Sequence, residues 1–214
     1  MKPDRRVSRE YLEALAEIVG RIARSLEGAP ADALPVRMFV AGGAALYLHT
    51  GVRVSEDIDA AFSRRLALVD DLSVSYRDAD GRARILYLDR NYNDTLGLLH
   101  EDAYDDADPV ALPGVDTRLI DVRVLSPLDV AVSKLSRFSE QDRRDIEQLA
   151  SGRRIESKPL RRRAVEALAG YVGDIETLKG NMDIACRLVD AAAPPRGGRG
   201  TRAASKTTRG RRRV

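Results

Sequence analysis

Apolar residues recur at alternating steps of three and four from Leu12 through Leu15, Val19, Ile22 and Leu26. That is the single stripe of an amphipathic helix, and Ser8 stands where an N-cap belongs. The turn-forming stretch EGAPADALP ends this helix, and VRMFVA (36–41) follows as a short buried strand running into the pair Gly42-Gly43. AALYLHT suits a helix that Gly51 stops, and DIDAAF (57–62) then alternates, with Asp57 and Asp59 on one face and Ile58, Ala60 and Phe62 towards the other. ARILYLD (83–89) and RLIDVRVL (118–125) are two further strands, separated by the acidic, turn-rich segment HEDAYDDADPVALPGVD. From Ser126 the period changes to helical. Ser126 caps, Pro127 fits the first turn and Asp129 can complete a capping box; Leu128, Ala131, Val132, Leu135 and Phe138 then form an apolar face. SEQD (139–142) repeats the capping pattern, and LRRRAVEALAGYV and DIETLKGNMDIACRLVDAA read as two more helices. The expected organisation is α+β: a core over 1–125 with a small mixed sheet and flanking helices, a helical C-terminal region over 126–193, and a tail over 194–214. The tail has almost no large apolar side chains, so it is expected to be disordered.

Composition narrows the class. The 214 residues are 43% hydrophobic and 32% charged, enough for one sizeable core, with no apolar run near the roughly 20 residues of a membrane span. The N-terminus has no apolar segment of the secretory kind and the one cysteine, Cys186, reads as a small buried hydrophobe, so a cytoplasmic protein with no membrane partner is expected. Charge is unevenly placed. Eight Lys and Arg lie from Arg196 onward with no acid among them, and removing those eight from the formal net charge of +3 leaves −5. An acidic body carries a basic tail able to follow a nucleic-acid backbone.

The candidate chemistry lies in GGAALYLHTGVRVSEDIDAAF (42–62). Two carboxylates at i and i+2 on a strand point the same way and cannot both be buried unpaired. They need water, cations or a metal, and hard oxygen donors of this kind suit Mg²⁺ or Mn²⁺ with substrate phosphates completing the shell. A glycine pair between a strand and a helix lets backbone N–H groups approach phosphate oxygens. An Asp-x-Asp alone is more often solvated or salt-bridged, and a lone Gly-Gly is more often a turn. Their order within strand–helix–strand is what points to a nucleoside-polyphosphate site.

This segment resembles the signature of the DNA polymerase β-type nucleotidyltransferases: Gly-Gly or Gly-Ser, a helix, then Asp-x-Asp on the next strand. RVSEDID (53–59) is similar to the Arg-x-Ser-x-Asp-hydrophobic-Asp of the AbiEii and MenT toxin nucleotidyltransferases, and SPLDVAVSKLSRFSEQDRRDIEQL resembles the lysine-then-aspartate helix signature that follows in those families. The resemblance covers roughly residues 36–150. It implies that Gly42 and Gly43 hold the triphosphate of an NTP and that Ser55 lies near its phosphates. It implies that Asp57 and Asp59 bind the metal, that Lys134 meets the triphosphate, and that Asp145 or Asp142 follows, with Asp145 orienting the lysine or the acceptor. A third carboxylate is expected on a later strand, Asp121 first and Asp89 second. The implied activity is metal-dependent transfer of a nucleoside monophosphate to an acceptor hydroxyl, in the toxin-like branch on tRNA or other RNA, with a cognate antitoxin as possible partner. A protein or small-molecule acceptor, and a non-catalytic antitoxin-like binding role, are the alternatives.

Lys134 and Asp145 can be tested on geometry. On one unbroken helix eleven residues span roughly 16 Å, so the two could not touch. The second capping pattern at Ser139 implies a break after Phe138, and a turn there could fold Asp145 back. Arg53 could pair with Asp57 or a phosphate, or be an ordinary surface arginine. His49 and His100 have no nucleophile or metal cluster near them in the sequence and read as structural, and Tyr47 reads as core rather than a base-stacking platform.

Overall fold

The computed structural model describes residues 3–92 and 97–193; the basic tail from residue 194 lies outside the described residues. Helix α1 (Arg9–Ser25) begins at Ser8, whose side chain accepts a hydrogen bond from the Tyr11 backbone N–H, and its apolar stripe lies against the strands. Strand β1 (Val36–Val40) leads into α2 (Gly42–Thr50). Strands β2 (Asp57–Ile58), β3 (Ala60–Phe62), β4 (Ser73–Arg77), β5 (Ala83–Leu88), β6 (Asp108–Pro109) and β7 (Ile120–Val124) follow. Four helices complete the fold: α3 (Pro127–Ser133), α4 (Glu140–Ser151), α5 (Ser157–Ala167) and α6 (Ile175–Ala192).

The architecture is α+β with two small mixed sheets. One has the order β3-β1-β7-β6 and the other β2-β5-β4. In the first, β1 runs parallel to β7 and antiparallel to β3; in the second, β2 runs parallel to β5 and β4 antiparallel to it. DIDAAF is therefore not one strand. Its backbone changes sheets at Asp59: the Ile58 carbonyl accepts from the Asp89 N–H at 3.0 Å, while the Asp59 carbonyl accepts from the Ala41 N–H at 2.8 Å. The strands at 73–77 and 108–109 are not among those the sequence predicts: the first alternates only over SVSYR, with Val74 and Tyr76 as its two apolar positions, and the second has two residues.

A continuous buried core runs from Tyr11, Leu15 and Ile18 on α1 through Val40 and Leu46 to Ile146, Leu160 and Val189 on the later helices. Tyr47 belongs to it, 3% exposed and packed edge-on to Tyr11. His49 is structural: its buried ring Nε2 donates to the Leu125 carbonyl at 2.8 Å, and burial holds the imidazole pKa below its ordinary value. Cys186 is likewise buried. Asp129 does not complete a capping box. Ser126 caps α3, but the Asp129 carboxylate takes both arms of Arg163, at 2.8 and 3.1 Å, tying α3 to α5. Among the described residues no helix is long and apolar enough to cross a membrane.

Candidate active site

The site is built where β1 ends, α2 begins and the chain changes sheets. Gly42 has φ 54°, a left-handed conformation that favours glycine, and a Cβ there would lie 1.8 Å from Asp59 Oδ2. A Cβ at Gly43 would lie 2.3 Å from Ser55 Oγ and 3.4 Å from an Arg53 guanidinium nitrogen. The glycine pair thus lets the first turn of α2 pack directly on the side chains of residues 53, 55 and 59. Helix N-termini present N–H groups without intrahelical partners and a favourable dipole for anions, so the carboxylate pair lies beside a surface suited to phosphate.

Ser55 is buried, and its hydroxyl donates to Asp57 Oδ1 at 2.5 Å, fixing that carboxylate. The Asp59 carboxylate accepts no hydrogen bond among the described residues. Burial first, then the charges of Asp57 and Asp89, push its pKa up to about 6, against the opposing effect of Lys134 and Arg137. Asp89 reaches the site because β5 pairs with β2, Ile58 opposite Leu88, so the next residue on each strand is an aspartate. Asp121 does not join them. It pairs in register with Arg37 near the start of β1, three residues short of the end that bears the site, and its carboxylate is bound by Arg123 at 2.8 Å. Asp89 is therefore the third carboxylate of the junction, the second of the two positions expected.

The other wall comes from the break between α3 and α4. Helix α3 ends at Ser133, with Lys134 as its C-cap, and the chain turns through Phe138 at φ 48°. Ser139 and Asp142 then form a reciprocal capping box that starts α4. The turn brings Lys134 Nζ to 2.7 Å from Asp145 and 3.5 Å from Asp142. Asp145 is fully buried. It accepts from Arg53 at 3.1 and 3.0 Å, from Gln141 at 2.8 Å and from Lys134, so both its oxygens are engaged. It positions Lys134 and Arg53 and offers no free edge to an acceptor. Arg53 pairs with this carboxylate, 92 residues away in sequence, and not with Asp57.

Arg137 is a residue that the sequence reading missed. Asp142 grips its guanidinium with two 2.8 Å bonds, yet the side chain is 74% exposed. Although burial opposes it, hydrogen bonds from Arg137 and Ser139 and the charge of Lys134 hold the Asp142 carboxyl well below its usual range. A cleft of about 240 Å³ opens here, with Gly42, Asp59, Lys134, Arg137 and Asp142 in its wall. A larger cleft of about 370 Å³, between the end of α4 and helices α5 and α6, contains none of these residues.

The donor set fits a divalent cation. Among the described residues no three His, Cys, Asp or Glu side chains are gathered into a preformed cage. Asp57 and Asp59 nonetheless present hard oxygens close enough to feel each other's charge, and burial with the charges of Asp57 and Asp89 raises the Asp59 pKa in spite of Lys134 and Arg137, so a bound cation would be favourable there. Two carboxylates are what Mg²⁺ uses when substrate phosphates complete its shell. One cleft is lined by Gly42 at the start of α2, by Asp59, and by Lys134, Arg137 and Asp142. No curated protein matches the chain, and no solved structure matches it. A family model described as "Nucleotidyltransferase of unknown function (DUF6036)" matches residues 17–181, from α1 into α6, and the chain belongs to that nucleotidyltransferase family.

Proposed function

We propose that the protein transfers a nucleoside monophosphate from an NTP to an acceptor hydroxyl, with Mg²⁺ or Mn²⁺ held by Asp57 and Asp59. The observation that carries this reading is the packing of Asp59 on Gly42 and of Ser55, which holds Asp57, on Gly43, with Lys134 and Arg137 in the wall of the cleft that Gly42 and Asp59 line. In this reading the polyphosphate lies along the first turn of α2. Lys134 and Arg137 take its β- and γ-oxygens, held in place by Asp145 and Asp142. Ser55 fixes one oxygen of Asp57, which leaves the other for the cation. A cation bound there would supply Lewis-acid polarisation of the α-phosphate. The acceptor oxygen forms a bond to the α-phosphorus, and the bond from that phosphorus to the oxygen bridging the β-phosphate breaks. Pyrophosphate leaves, and the hydroxyl proton passes to a carboxylate of the junction, with Asp89 on the acceptor side. The protein supplies positioning and electrostatics.

The finer assignment is to an RNA acceptor, tRNA included, and to the toxin of a toxin–antitoxin pair. It rests on the likeness of residues 53–59 to the toxin-like branch and on the basic composition of residues 194–214. The test is incubation of the protein with each α-labelled NTP and total cellular RNA, with and without chelator. Label should enter RNA only with divalent metal. Asp57→Ala should abolish it, because one carboxylate cannot assemble the metal site. Activity of Asp57→Ala within about tenfold of wild type, roughly 1.4 kcal/mol in barrier, would refute the role given to this pair.

A further inference from the structure

A second groove opens beside the same junction, at Asp89. Its volume is about 450 Å³, and its walls include Phe62, Arg64, Arg65, Asp89, Arg90 and Tyr92. It meets the first cleft at the junction: Asp59 and Tyr92 line one, Asp89 and Tyr92 the other. Arg64 and Arg65 are exposed and make no ion pair or hydrogen bond among the described residues. Arg90 is more constrained. Its guanidinium donates to the carbonyls of Leu68 and Val69 and lies 3.8 Å from Asp70. Two solvent-exposed guanidinium groups without a protein partner among the described residues therefore line this groove, in a body whose formal charge without the tail is −5.

We propose that this groove is the acceptor site and that its occupant is a single strand of RNA, whose phosphates lie on Arg64 and Arg65 and whose terminal hydroxyl reaches the junction past Asp89. This rests on the nucleotidyl-transfer reading of the first cleft, and the mechanism of transfer supplies the geometry. Displacement at phosphorus proceeds in line, so the attacking and leaving oxygens lie on opposite sides of the α-phosphate. With the departing pyrophosphate on Lys134 and Arg137, the acceptor must enter from the side away from them. The Arg64–Arg65 groove reaches the junction through Asp89 and Tyr92 and has neither Lys134 nor Arg137 in its wall, so it is the entry assigned to the acceptor. Its charge selects the class of acceptor. Free guanidinium groups beside a carboxylate repel a polycationic small molecule and attract a phosphate backbone. Phe62 and Tyr92 line the same groove, both partly buried against the core.

The test compares the full-length protein with Arg64→Glu/Arg65→Glu and, as a conservative control, Arg64→Lys/Arg65→Lys. Three quantities are measured: affinity for a fluorescent short single-stranded RNA across a salt series, affinity for a non-hydrolysable NTP analogue, and KM for RNA in nucleotidyl transfer. Charge reversal should leave NTP binding unchanged, weaken RNA binding at least about tenfold at low salt, and raise the KM for RNA. It should also lower the salt slope by about 1.4, since each lost single-strand phosphate contact removes about 0.7. The lysine pair should restore most of this. Because the basic tail is present in every variant, the difference between curves isolates the groove. Superimposable RNA-binding curves would overturn the proposal, and so would retention by the reversed variant of normal transfer to RNA. Preferential labelling of an acidic protein acceptor, lost on reversal, would also overturn it. If the first-cleft reading failed, transfer would be absent from wild type and both variants, while the RNA-binding difference would still decide the groove.

Discussion

Asp59 carries the largest electrostatic cost among the candidate residues, and that cost has a measurable sign. Its carboxyl titrates at about 6 in the folded protein against an ordinary 3.8, for reasons of burial and the charges of Asp57 and Asp89. The native state therefore holds this proton more tightly than the unfolded chain does. The stabilising contribution is full below about pH 4 and is lost as pH rises through about 6. At neutral pH in metal-free buffer Asp59→Asn should be more stable than wild type. A two-unit shift corresponds to nearly 3 kcal/mol. Because the group is partly solvated, about 1 kcal/mol is the realistic expectation, a rise in Tm of roughly 3 °C for a chain of this size. The advantage should vanish below about pH 4 and shrink when Mg²⁺ is added, because the cation neutralises wild type alone. Thermal melts of both proteins across pH, with and without Mg²⁺, check this. Equal Tm values at neutral pH would mean that Asp59 is not held against its charge, and the argument for a cation from its raised pKa would fall with it.

At the scale of elements, the α3–turn–α4 unit makes the wall proposed to bind phosphate, and two buried carboxylates, Asp142 and Asp145, hold it together. Asp145 is fully buried and receives Arg53, Gln141 and Lys134. Asp145→Ala leaves Arg53 without its ion-pair partner and the buried Lys134 with only the longer contact to Asp142, and should cost about 3–5 kcal/mol. Lys134→Met should cost less, because Arg53 and Gln141 still satisfy the acid. The double variant should be more stable than the sum of the two losses predicts. Urea denaturation of all four proteins gives the coupling, and NTP binding by the folded Lys134→Met variant, expected to be weaker, shows whether the lysine serves the substrate. Additive losses with normal NTP binding would make this unit structural only. The same unit shows what the sequence makes legible. The Ser139-x-x-Asp142 box can be read directly, because capping is local, and with it the break that brings Lys134 to Asp145. Arg53 bound to Asp145 across 92 residues cannot be read, nor can the sheet change at Asp59, because both depend on how distant strands and helices pack. Asp89 and Asp121 show the limit most clearly. Each stands in or beside a strand of apolar and polar residues, and only the pairing of β5 with β2 and of β7 with β1 puts one at the junction and the other away from it. Strand β4, with the sequence SVSYR, alternates over only five residues, with Val74 and Tyr76 as its apolar positions, too short a run to separate from a loop.

Over the whole molecule the distribution of charge sets how a polyanionic acceptor would arrive. Residues 194–214 hold eight positive charges and no acid, whereas the rest of the chain is formally −5. An acidic body repels a nucleic acid at a distance, and local arginines such as Arg64 and Arg65 act only once the strand is in the groove. A run of basic residues beyond α6 would act earlier, raising the encounter rate through counterion release without adding sequence preference. The two contributions are separable because they enter different steps. Truncation after Ala193 should leave NTP affinity unchanged, since the described lining of the first cleft lies within residues 42–142. It should lower the association rate with RNA and flatten the salt dependence of that rate, and it should raise the apparent KM for RNA while leaving kcat nearly as it was. Charge reversal at Arg64 and Arg65 should instead act mainly on dissociation, because it removes contacts made in the docked state. Stopped-flow binding of labelled RNA to the full-length, truncated and groove-reversed proteins, each over a salt series, distinguishes these. If truncation left the association rate and its salt slope unchanged, the basic residues beyond Ala193 would have no part in acceptor capture. Recognition would then have to be built entirely from the groove against the repulsion of the acidic body.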